Sequence, residues 1–449
     1  MSKETEKREI LKLVKEYAKN YLSNATNNSF NIGDKIPYSE KVFDENEVVN
    51  LVDSALDFWL TQGKYYDEFE DKLSKYLNIK YVSLVNSGSS ANLLAFMALT
   101  SPLLKERKIN KGDEVITVAC GFPTTISPIV NFGAVPVYVD IDIPTYNINV
   151  NDLEKALSNK TKAVFLAHTL GNPFDIIKIK EFCDKNSLWL IEDNCDALGA
   201  EVLIDNEYKK TGTIGDIGTS SFYPPHHITM GEGGAVYTNN PILHKIVESM
   251  RDWGRDCICK SGVDNTCSKR FTGQFGELPF GYDHKYVYSH FGYNLKATDL
   301  QASIGVKQLD KINSFVEKRR ENFDIMTKSL IDNGLDKYFI LPKATDNTNP
   351  SWFSYILTIK DEVVKNGISR KKIVDYLDSK KIHTRYVFAG NMIKQPVYMD
   401  VDKNEYRVIG DLKNTDKVMN DTFMVGVYPL INKEKIDYIV KSLKVIVNG

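Results

Sequence analysis

Residues 220–234 of the chain read Ser-Ser-Phe-Tyr-Pro-Pro-His-His-Ile-Thr-Met-Gly-Glu-Gly-Gly, and the interpretation of the whole sequence starts from them. Small residues and the Pro-Pro pair break a helix here, and the run 235–238 that follows favours a β-strand. We therefore predict a loop between two strands. An isolated His-His pair can simply fill a turn. Here His226 and His227 are joined by a tyrosine and two serines, a set of groups that can transfer protons and form hydrogen bonds.

The composition is that of an ordinary globular protein. The chain has 449 residues, of which 42% are hydrophobic and 26% charged, and its formal net charge is −2. This length allows two or three domains, and the charge gives no general attraction to nucleic acid or to anionic membranes. No apolar run approaches the roughly 20 residues of a membrane helix, and the charged first ten residues lack the apolar core of a secretory signal. We therefore expect a cytoplasmic protein with six reduced cysteines.

Short apolar runs alternate with helical segments, which predicts an α/β fold built on a mostly parallel, doubly wound sheet. In such sheets ligands bind beyond the carboxyl ends of the strands. Strands are predicted at 81–85, 114–118, 135–139, 163–167 and 188–191. Helices are predicted at 4–23, 48–60 and 91–99, and one long helix at about 298–327. Polar loops are predicted at 343–350 and 404–416.

The loop at 220–234 resembles the DegT/DnrJ/EryC1/StrS sugar aminotransferase family. In that family Ser-Phe-x-x-x-Lys carries the lysine that binds pyridoxal phosphate (PLP), and Gly-Glu-Gly-Gly follows. Ser221 and the run Gly231–Gly234 match, but the fifth position after Ser221 is His226 instead of lysine. This departure is typical of the sugar 3-dehydrase subgroup. The resemblance covers nearly the full length of the chain.

The resemblance implies the fold of the type I PLP-dependent transferases: a large, mixed but mostly parallel sheet with flanking helices, and a smaller C-terminal α/β domain. We place an N-terminal helical arm at 1–45. The large cofactor-binding domain, with a cysteine-containing loop, is placed at 46–327, and the small domain at 328–449.

Several motifs match positions that bind the cofactor in this family. Residues 86–91 follow a strand and open a helix, where N–H groups and hydroxyls can hold a phosphate, although Ser and Gly there are also ordinary N-caps. The resemblance implies phosphate contacts from Gly88, Ser89 and Ser221, and from Asn294 of the partner subunit, and hence a homodimer. It also implies that Phe122 stacks on the pyridine ring, Asp193 pairs with the ring nitrogen and Asp196 lies near the ring hydroxyl.

Phe122 and a further residue, His168, have alternative interpretations on sequence alone. Phe122 can equally be a core phenylalanine beneath a loop. His168 falls in the family's pocket segment, but it can also be a structural histidine.

The missing lysine changes the expected chemistry. Without lysine at position 226, the cofactor cannot be anchored there covalently, and the resemblance implies non-covalently bound pyridoxamine 5′-phosphate (PMP). An imidazole suits a base that removes the C4′ proton of PMP, because it titrates near neutral pH. We assign that role to His226 and expect Tyr223 and Asp196 to assist. The implied reaction removes the C3 oxygen of CDP-4-keto-6-deoxy-D-glucose, toward 3,6-dideoxysugars of lipopolysaccharide O-antigen.

Four cysteines form a further candidate site. Cys257, Cys259 and Cys267 follow the pattern Cys-x-Cys-x7-Cys, and Cys195 lies upstream beside Asp193. The spacing is neither that of ferredoxins nor that of zinc ribbons, so zinc and free thiols are alternatives. The resemblance implies a [2Fe–2S] cluster on these four cysteines, reduced by a separate NADH-dependent flavin/iron–sulfur reductase. The remaining two, Cys120 and Cys183, are expected to be packing residues.

The substrate contacts and the exact activity leave alternatives open. Arg385, Asn391 and Arg407 resemble family positions near the nucleotide diphosphate and the sugar, although either arginine can also form a structural salt bridge. The first alternative activity is a cluster-free sugar 3-dehydratase that uses glutamate. The others are an ordinary sugar aminotransferase and a catalytically idle scaffold.

Overall fold

The computed structural model describes residues 2–23, 29–257, 259, 262–263, 265–266, 268 and 270–448. Its strands, β1 to β14 in chain order, are Tyr81–Val85, Glu114–Val118, Val135–Val139, Thr161–Ala167, Trp189–Asp193, Glu201–Ile204, Glu207–Lys210, Ile217–Ser221, Gly234–Thr238, Phe339–Ile340, Thr348–Asn349, Ser354–Ile359, Arg407–Val408 and Thr422–Gly426.

The α-helices, α1 to α14, are Lys3–Tyr21, Glu45–Asp57, Lys64–Leu77, Gly88–Ala98, Pro123–Phe132, Leu153–Ala156, Ile176–Lys185, Pro241–Arg251, Asp299–Leu309, Ile312–Asp332, Asp361–Lys365, Arg370–Ser379, Lys413–Asp421 and Lys433–Asn448. Short 3-10 helices lie at Pro102–Arg107, Val150–Asp152, Thr169–Gly171, His284–Tyr286, Leu335–Lys337, Met392–Lys394 and Pro396–Tyr398.

An eight-stranded sheet in the order β1-β9-β8-β5-β4-β2-β3-β13 forms the centre of the fold. Pairing is parallel from β8 through β5, β4, β2 and β3 to β13, and antiparallel where β9 meets β1 and β8. Strands β2, β5, β8 and β9 are buried along their whole length, as expected for strands covered on both faces. The predicted α/β fold with a mixed, mostly parallel sheet is therefore confirmed.

The order of these strands brings three chain segments to one edge. Ala167 of β4 lies opposite Asp193 of β5, and Asp193 lies opposite Thr219 of β8. The loop at 222–233 leaves β8 at Ser221 and returns as β9 at Gly234, two residues that pair across the antiparallel ladder. The ends of the parallel strands and this loop therefore share the carboxyl edge of the sheet, where such folds bind ligands.

Two smaller sheets complete the fold. Strands β10, β12 and β14 form an antiparallel sheet in the C-terminal part, and β11 joins the β6–β7 hairpin. Strand β13 also lies in the C-terminal part, yet it extends the main sheet beside β3. The boundary predicted at 327/328 falls inside α10, so the division into domains remains a prediction.

Three predicted elements were wrong. The polar loop predicted at 343–350 contains strand β11. The long helix at about 298–327 is two helices, α9 and α10, separated at Asp310 and Lys311. The side chains of these two residues turn to different partners, since Asp310 pairs with Lys72 while Lys311 pairs with Asp44 and Glu47. The stretch predicted as a polar loop at 404–416 contains β13 and the start of α13. A two-residue strand and a half-exposed helix carry too little periodicity to be recognised.

Helix α1 confirms the predicted N-terminal helix, and α2 and α4 confirm the next two with boundaries shifted by up to three residues. None of the helices in the described ranges combines the length and the apolar character needed to cross a bilayer.

Gly171 provides a test of this architecture. Its φ is +90°, and a Cβ at this position would lie 1.9 Å from the Ser351 carbonyl oxygen. We expect Gly171→Ala to lower the free energy of unfolding by about 3 kcal/mol or more, because left-handed strain and a backbone clash act together. Urea denaturation measures this change.

Gly112→Ala is the matched control. Its φ is +82°, but a Cβ would have no neighbour within 4 Å. Strain alone is expected to lower the free energy of unfolding by only about 1 kcal/mol. Equal losses in the two variants would contradict the close approach of Gly171 to residue 351.

Candidate active site

A cavity of about 730 Å³ opens at the carboxyl edge of the main sheet. It brings together the loop after β8, the start of α4, the end of β5 and the start of α5. Residues 385–401 and Met424 of the C-terminal part close the other side. Among the described residues that line it there is no lysine, and the basic side chains are those of His226 and Arg385. The described residues therefore give this cavity one imidazole and one guanidinium.

His226 lies on the wall of the cavity with its side chain 14% exposed. Its Nδ1 is 3.3 Å from Oδ1 of Asp196, although the direction is not that of a hydrogen bond. The ring of Phe353 packs against the imidazole with 5.3 Å between the ring centres. A turn bond from the His226 N–H to the Tyr223 carbonyl fixes the backbone. The structure thus brings together three of the predicted catalytic residues: His226, Asp196 and Tyr223.

Asp193 is buried at the end of β5 and is held by three hydrogen bonds. Asn92 Nδ2 and Thr125 Oγ1 both donate to Oδ2 at 2.7 Å, and the N–H of Cys195 donates to Oδ1 at 3.1 Å. Thr219 in turn donates to the amide oxygen of Asn92, also at 2.7 Å. This network fixes the carboxylate in one orientation, which allows it to pair with a protonated ring nitrogen.

Helix α4 begins against the end of β8. Ser87 is the N-cap and accepts from the N–H of Ser90 at 3.0 Å. A Cβ on Gly88 would lie 2.4 Å from the Cβ of Ser221, so only glycine allows this approach. Ser89 donates to Thr124 Oγ1 at 3.2 Å and lines the cavity with Gly88 and Ser221. Helix N-terminal amides and two hydroxyls at one point form a suitable anion site.

Phe122 and Tyr223 expose half of their side chains, 49% each, on the cavity wall. Phe122 contacts Phe388 edge-on, with ring centres 6.2 Å apart. The alternative of a buried core phenylalanine is therefore wrong. An exposed aromatic face beside a fixed carboxylate and an anion site can hold a flat, phosphorylated heterocycle.

His168 is a structural histidine. It is fully buried and stacks on Phe174 at 4.1 Å. Its Nδ1 accepts from the Phe174 N–H, so Nε2 carries the proton and donates to Glu192 at 2.9 Å. It does not belong to the described residues that line the cavity, which decides between the two interpretations left open by the sequence.

Of the predicted substrate contacts, the structure brings only Arg385 to the cavity. Its guanidinium lies over the ring of Tyr38, 4.2 Å from the centre. Asn391 is buried, donates to Asp416 Oδ1 at 2.8 Å and accepts from the Ile393 N–H as a helix cap. Arg407 pairs with Glu114 and with the Ala156 carbonyl. Both side chains are used locally, so their predicted role in substrate binding receives no support within one subunit.

The three predicted cysteine ligands that the structure describes do not line one cavity. Cys195 lines the 730 Å³ cavity, whereas Cys257 and Cys259 line a different cavity of about 920 Å³ beside Glu248. Burial, together with the Asp193 charge, raises the pKa of the Cys195 thiol well above its usual value. Cys267 lies outside the described residues. Within the described ranges no group of three His, Cys, Asp or Glu side chains could hold a metal ion.

Asn294 does not contribute to the cavity of its own subunit. It is exposed, and its backbone pairs with Asp252 far along the chain from the loop at 220–234. Its predicted role depends on a second subunit.

Four residues of the site were not predicted from the sequence. Asn92 and Thr125 orient Asp193, while Tyr38 and Phe353 line the cavity beside Arg385 and His226. A signal existed for Asn92, a polar residue on the otherwise apolar helix that follows the anion-binding turn. Tyr38 and Phe353 come from distant segments and carry no local signal.

Comparison with known proteins agrees with this geometry. The sequence profile of the DegT/DnrJ/EryC1/StrS aminotransferase family matches residues 42–444. The lipopolysaccharide biosynthesis protein RfbH of Salmonella typhimurium is 50% identical over 437 residues, 97% of this chain and 97% of that protein. The dTDP-4-dehydro-2,6-dideoxy-D-glucose 3-dehydratase of Saccharopolyspora spinosa is 47% identical over 405 residues, 90% of this chain and 85% of that protein.

A solved structure gives the same result for the fold. GDP-4-keto-6-deoxymannose-3-dehydratase with a trapped PLP–glutamate geminal diamine superposes with a TM-score of 0.78 and 29% identity, over 91% of this chain and 100% of that chain.

The structural assignment of His168 can be tested. We expect His168→Ala to lower the free energy of unfolding by about 2–4 kcal/mol, because a buried ring is lost and the Glu192 carboxylate loses a donor. Urea denaturation measures the loss. The affinity for a ligand bound in the 730 Å³ cavity should stay within about twofold of the wild-type value, since His168 does not line this cavity. His383→Ala, at a partly exposed histidine outside the cavity, should cost less than about 1 kcal/mol. A stable His168→Ala protein that cannot bind its ligand would contradict the assignment.

Proposed function

Since the chain belongs to the DegT/DnrJ/EryC1/StrS aminotransferase family, we propose that it removes the C3 hydroxyl of a nucleotide-linked 4-keto-6-deoxy sugar, with PMP as cofactor and CDP-4-keto-6-deoxy-D-glucose as substrate. One observation carries the proposal. At the position of the family's lysine stands the imidazole of His226, and no lysine lines the cavity in the described part of the chain. The cofactor must then be held without a covalent bond to the protein.

The residues present fit a B6 cofactor. Asp193 offers an oriented carboxylate to the ring nitrogen, and the half-exposed Phe122 offers an aromatic face. Gly88, Ser89 and Ser221 form an anion site that a Cβ on residue 88 would fill. When bound as PMP, the cofactor supplies an amine that condenses with the sugar ketone and a ring that withdraws electrons.

The protein's own groups transfer protons and favour dehydration over amino transfer. His226 accepts the proton from C4′ of the cofactor and can return it to the departing C3 hydroxyl, which leaves as water. Asp196, 3.3 Å from Nδ1, stabilises the imidazolium that forms in between. The exposed hydroxyl of Tyr223 is a second donor on the same wall. An imidazole cannot form the covalent bond through which a lysine would release an aminated product, so dehydration is favoured over amino transfer.

The proposed reaction and its main alternative differ in the step that follows loss of the C3 hydroxyl. We propose that a reductive route uses a [2Fe–2S] cluster on the Cys257–Cys267 loop and a separate NADH-dependent flavin/iron–sulfur reductase. The support is the Cys-x-Cys-x7-Cys motif and the position of Cys257 and Cys259 in one cavity. Among the described residues, Cys195 lies in the other cavity, and the fourth proposed ligand, Cys267, is outside the described residues. The GDP-sugar relative, which holds PLP together with glutamate, favours the cluster-free alternative.

The nucleotide and the pathway also rest on likeness. The choice of CDP as the nucleotide rests on the overall resemblance, whereas the two dehydratases compared above act on dTDP- and GDP-linked sugars. Arg385, on the cavity wall, suits a diphosphate of any of the three. The 50% identity to a lipopolysaccharide biosynthesis protein supports a product destined for a surface polysaccharide. Asn294 is exposed and accessible to a partner subunit, and the family resemblance implies a homodimer in which that asparagine completes the phosphate site.

His226 variants test the proposed chemistry. We expect His226→Asn to lower the rate of sugar dehydration by about 100-fold or more, because the variant lacks the base. We expect His226→Lys to attach PLP covalently, which borohydride reduction followed by mass spectrometry detects. Dehydration is measured with PMP and with the CDP-, dTDP- and GDP-linked 4-keto-6-deoxy sugars, and the best substrate identifies the nucleobase.

His383→Asn is the matched control, since this histidine does not line the cavity. It should retain the wild-type rate and bind PLP only reversibly. Dehydration at the wild-type rate by a folded His226→Asn protein would exclude His226 as the base.

Metal analysis tests the cluster. We expect about two iron atoms per chain in protein purified without oxygen, and loss of iron and of brown colour in Cys257→Ser. Elemental analysis and absorption spectra measure both. Cys183→Ala, at a buried packing cysteine, should keep the iron.

Cys195→Ser locates the fourth ligand. Loss of iron would include Cys195 in the cluster, and full iron content would place the fourth ligand elsewhere. Zinc without iron, or no metal at all, would contradict the cluster and favour the glutamate-dependent alternative.

A further inference from the structure

Arg319 of α10 is a buried cation behind the proposed catalytic loop. It is 1% exposed. Its Nη1 donates to the carbonyls of Trp352 and Phe353, both at 3.1 Å, and its Nη2 donates to the carbonyl of His226 at 3.4 Å. Within the described ranges no carboxylate lies close enough to form an ion pair with it. One guanidinium therefore joins the backbone of the loop to the segment 351–353.

The same segment is held to the loop and to α10 by independent contacts. His227 Nε2 donates to the carbonyl of Ser351 at 2.8 Å. Trp352 stacks on Phe323, one turn beyond Arg319 on α10, with ring centres 3.8 Å apart. Phe353 then packs on the imidazole of His226. The imidazole of His226 therefore packs against the segment 351–353. Arg319 binds both this segment and the backbone of His226.

The second histidine of the pair has a role distinct from that of the first. Burial and the neighbouring Arg319 charge lower the pKa of His227 well below its usual value. His227 is therefore neutral near pH 7, and its Nε2–H serves the Ser351 carbonyl. It is a tether and not a second proton carrier.

A buried guanidinium without an ion pair is costly for the fold, and apolar replacements of buried charges are often neutral or stabilising. Burial lowers the pKa of Arg319 to about 10, while the Asp196 carboxylate acts to raise it. The group thus stays charged at neutral pH, and the Asp196 carboxylate beside His226 favours its charged form. Packing alone gives no reason for a cation here.

We propose that Arg319 is a positioning residue: it fixes the His226 backbone to the segment 351–353 and thereby holds the imidazole between Asp196 and the Phe353 ring. This inference rests on the proposed role of His226. It predicts that loss of Arg319 slows the proton transfer without weakening the binding of the cofactor, whose contacts at Asp193, Phe122 and Gly88 are made elsewhere.

Arg320 provides a matched control. It is the next residue on α10 and donates to the carbonyls of Pro350, Asn349 and Gly199. It therefore binds the backbone just before the segment 351–353, with a similar number of hydrogen bonds, and does not contact His226. A general loss of anchoring would affect both arginine variants alike.

The experiment compares Arg319→Met, Arg319→Lys and Arg320→Met in the full-length protein. PMP affinity is measured by fluorescence titration, and the transfer of solvent deuterium to C4′ of PMP in the presence of the sugar substrate is followed by NMR. We expect Arg319→Met to slow the exchange by about tenfold to 100-fold, because small displacements of a catalytic group have effects of this size. PMP affinity should stay within about twofold, and Arg320→Met should be near the wild-type rate.

Partial recovery of exchange in Arg319→Lys, which keeps the charge but not the fork geometry, would support the proposal. Exchange at the wild-type rate in Arg319→Met would overturn it, as would an equal loss in Arg320→Met. If Arg319→Met does not fold, His227→Leu and His227→Gln replace it. The glutamine can still donate to Ser351 and should exchange faster than the leucine variant, and equal rates would count against the tether.

Crystal structures of the wild type and Arg319→Lys separate this inference from the proposed function. We expect His226 Nδ1 to move away from Asp196 in the variant, and an unchanged distance would overturn the positioning role whatever the reaction is. If the wild-type protein shows no sugar-dependent exchange, the proposed function fails, and these structures alone decide the role of Arg319.

Discussion

The antiparallel ladder between Ile217–Ser221 and Gly234–Thr238 is the constraint on which the site depends. It fixes both ends of the loop, and two further bonds close the loop on itself: Phe222 N–H to the Gly233 carbonyl and Met230 N–H to the Phe222 carbonyl, both 2.9 Å. Because Ile217–Ser221 is also parallel to Trp189–Asp193, the ladder places both ends of the loop at the edge of the sheet where Asp193 lies. Sites on regular elements are more precise than sites on loops, so a reacting side chain in this loop needs further anchoring.

Much of this arrangement could be predicted because it follows from local patterns. The strands at 81–85, 114–118 and 135–139 were predicted with their exact ends, since the buried strands of such a sheet are short, mostly apolar runs. The anion-binding turn, the carboxylate at Asp193 and the histidine at 226 all stand beside such strands. Their neighbours along the chain are therefore enough to place them at the carboxyl edge.

Sequence patterns do not show which partner a side chain contacts in the folded chain. Asn391 and Arg407 have the right chemistry for a sugar nucleotide, yet a helix cap and the Glu114 carboxylate occupy them. Cys195 and Cys257 are 62 positions apart, and no pattern in the neighbouring sequence indicates that they line different cavities. His168 and His226 are both histidines near strand ends. Only the contacts with Glu192 and Phe174 show that the first is part of the core.

The two adjacent histidines show how one sequence pattern can hold two opposite environments. His226 is partly exposed, faces the cavity and stands 3.3 Å from a carboxylate, so a proton can arrive and leave. His227 is buried against a guanidinium and a carbonyl, which keep it neutral. The two adjacent side chains thus face different environments, so one residue can contact the ligand while the next ties the loop to the core. A lysine would fix its cofactor by a covalent bond. An imidazole makes no such bond, so proton transfer to it depends on where the backbone places the ring. The accuracy of that position must then come from the backbone, and the bonds of Arg319 and His227 to the segment 351–353 are where the structure provides it.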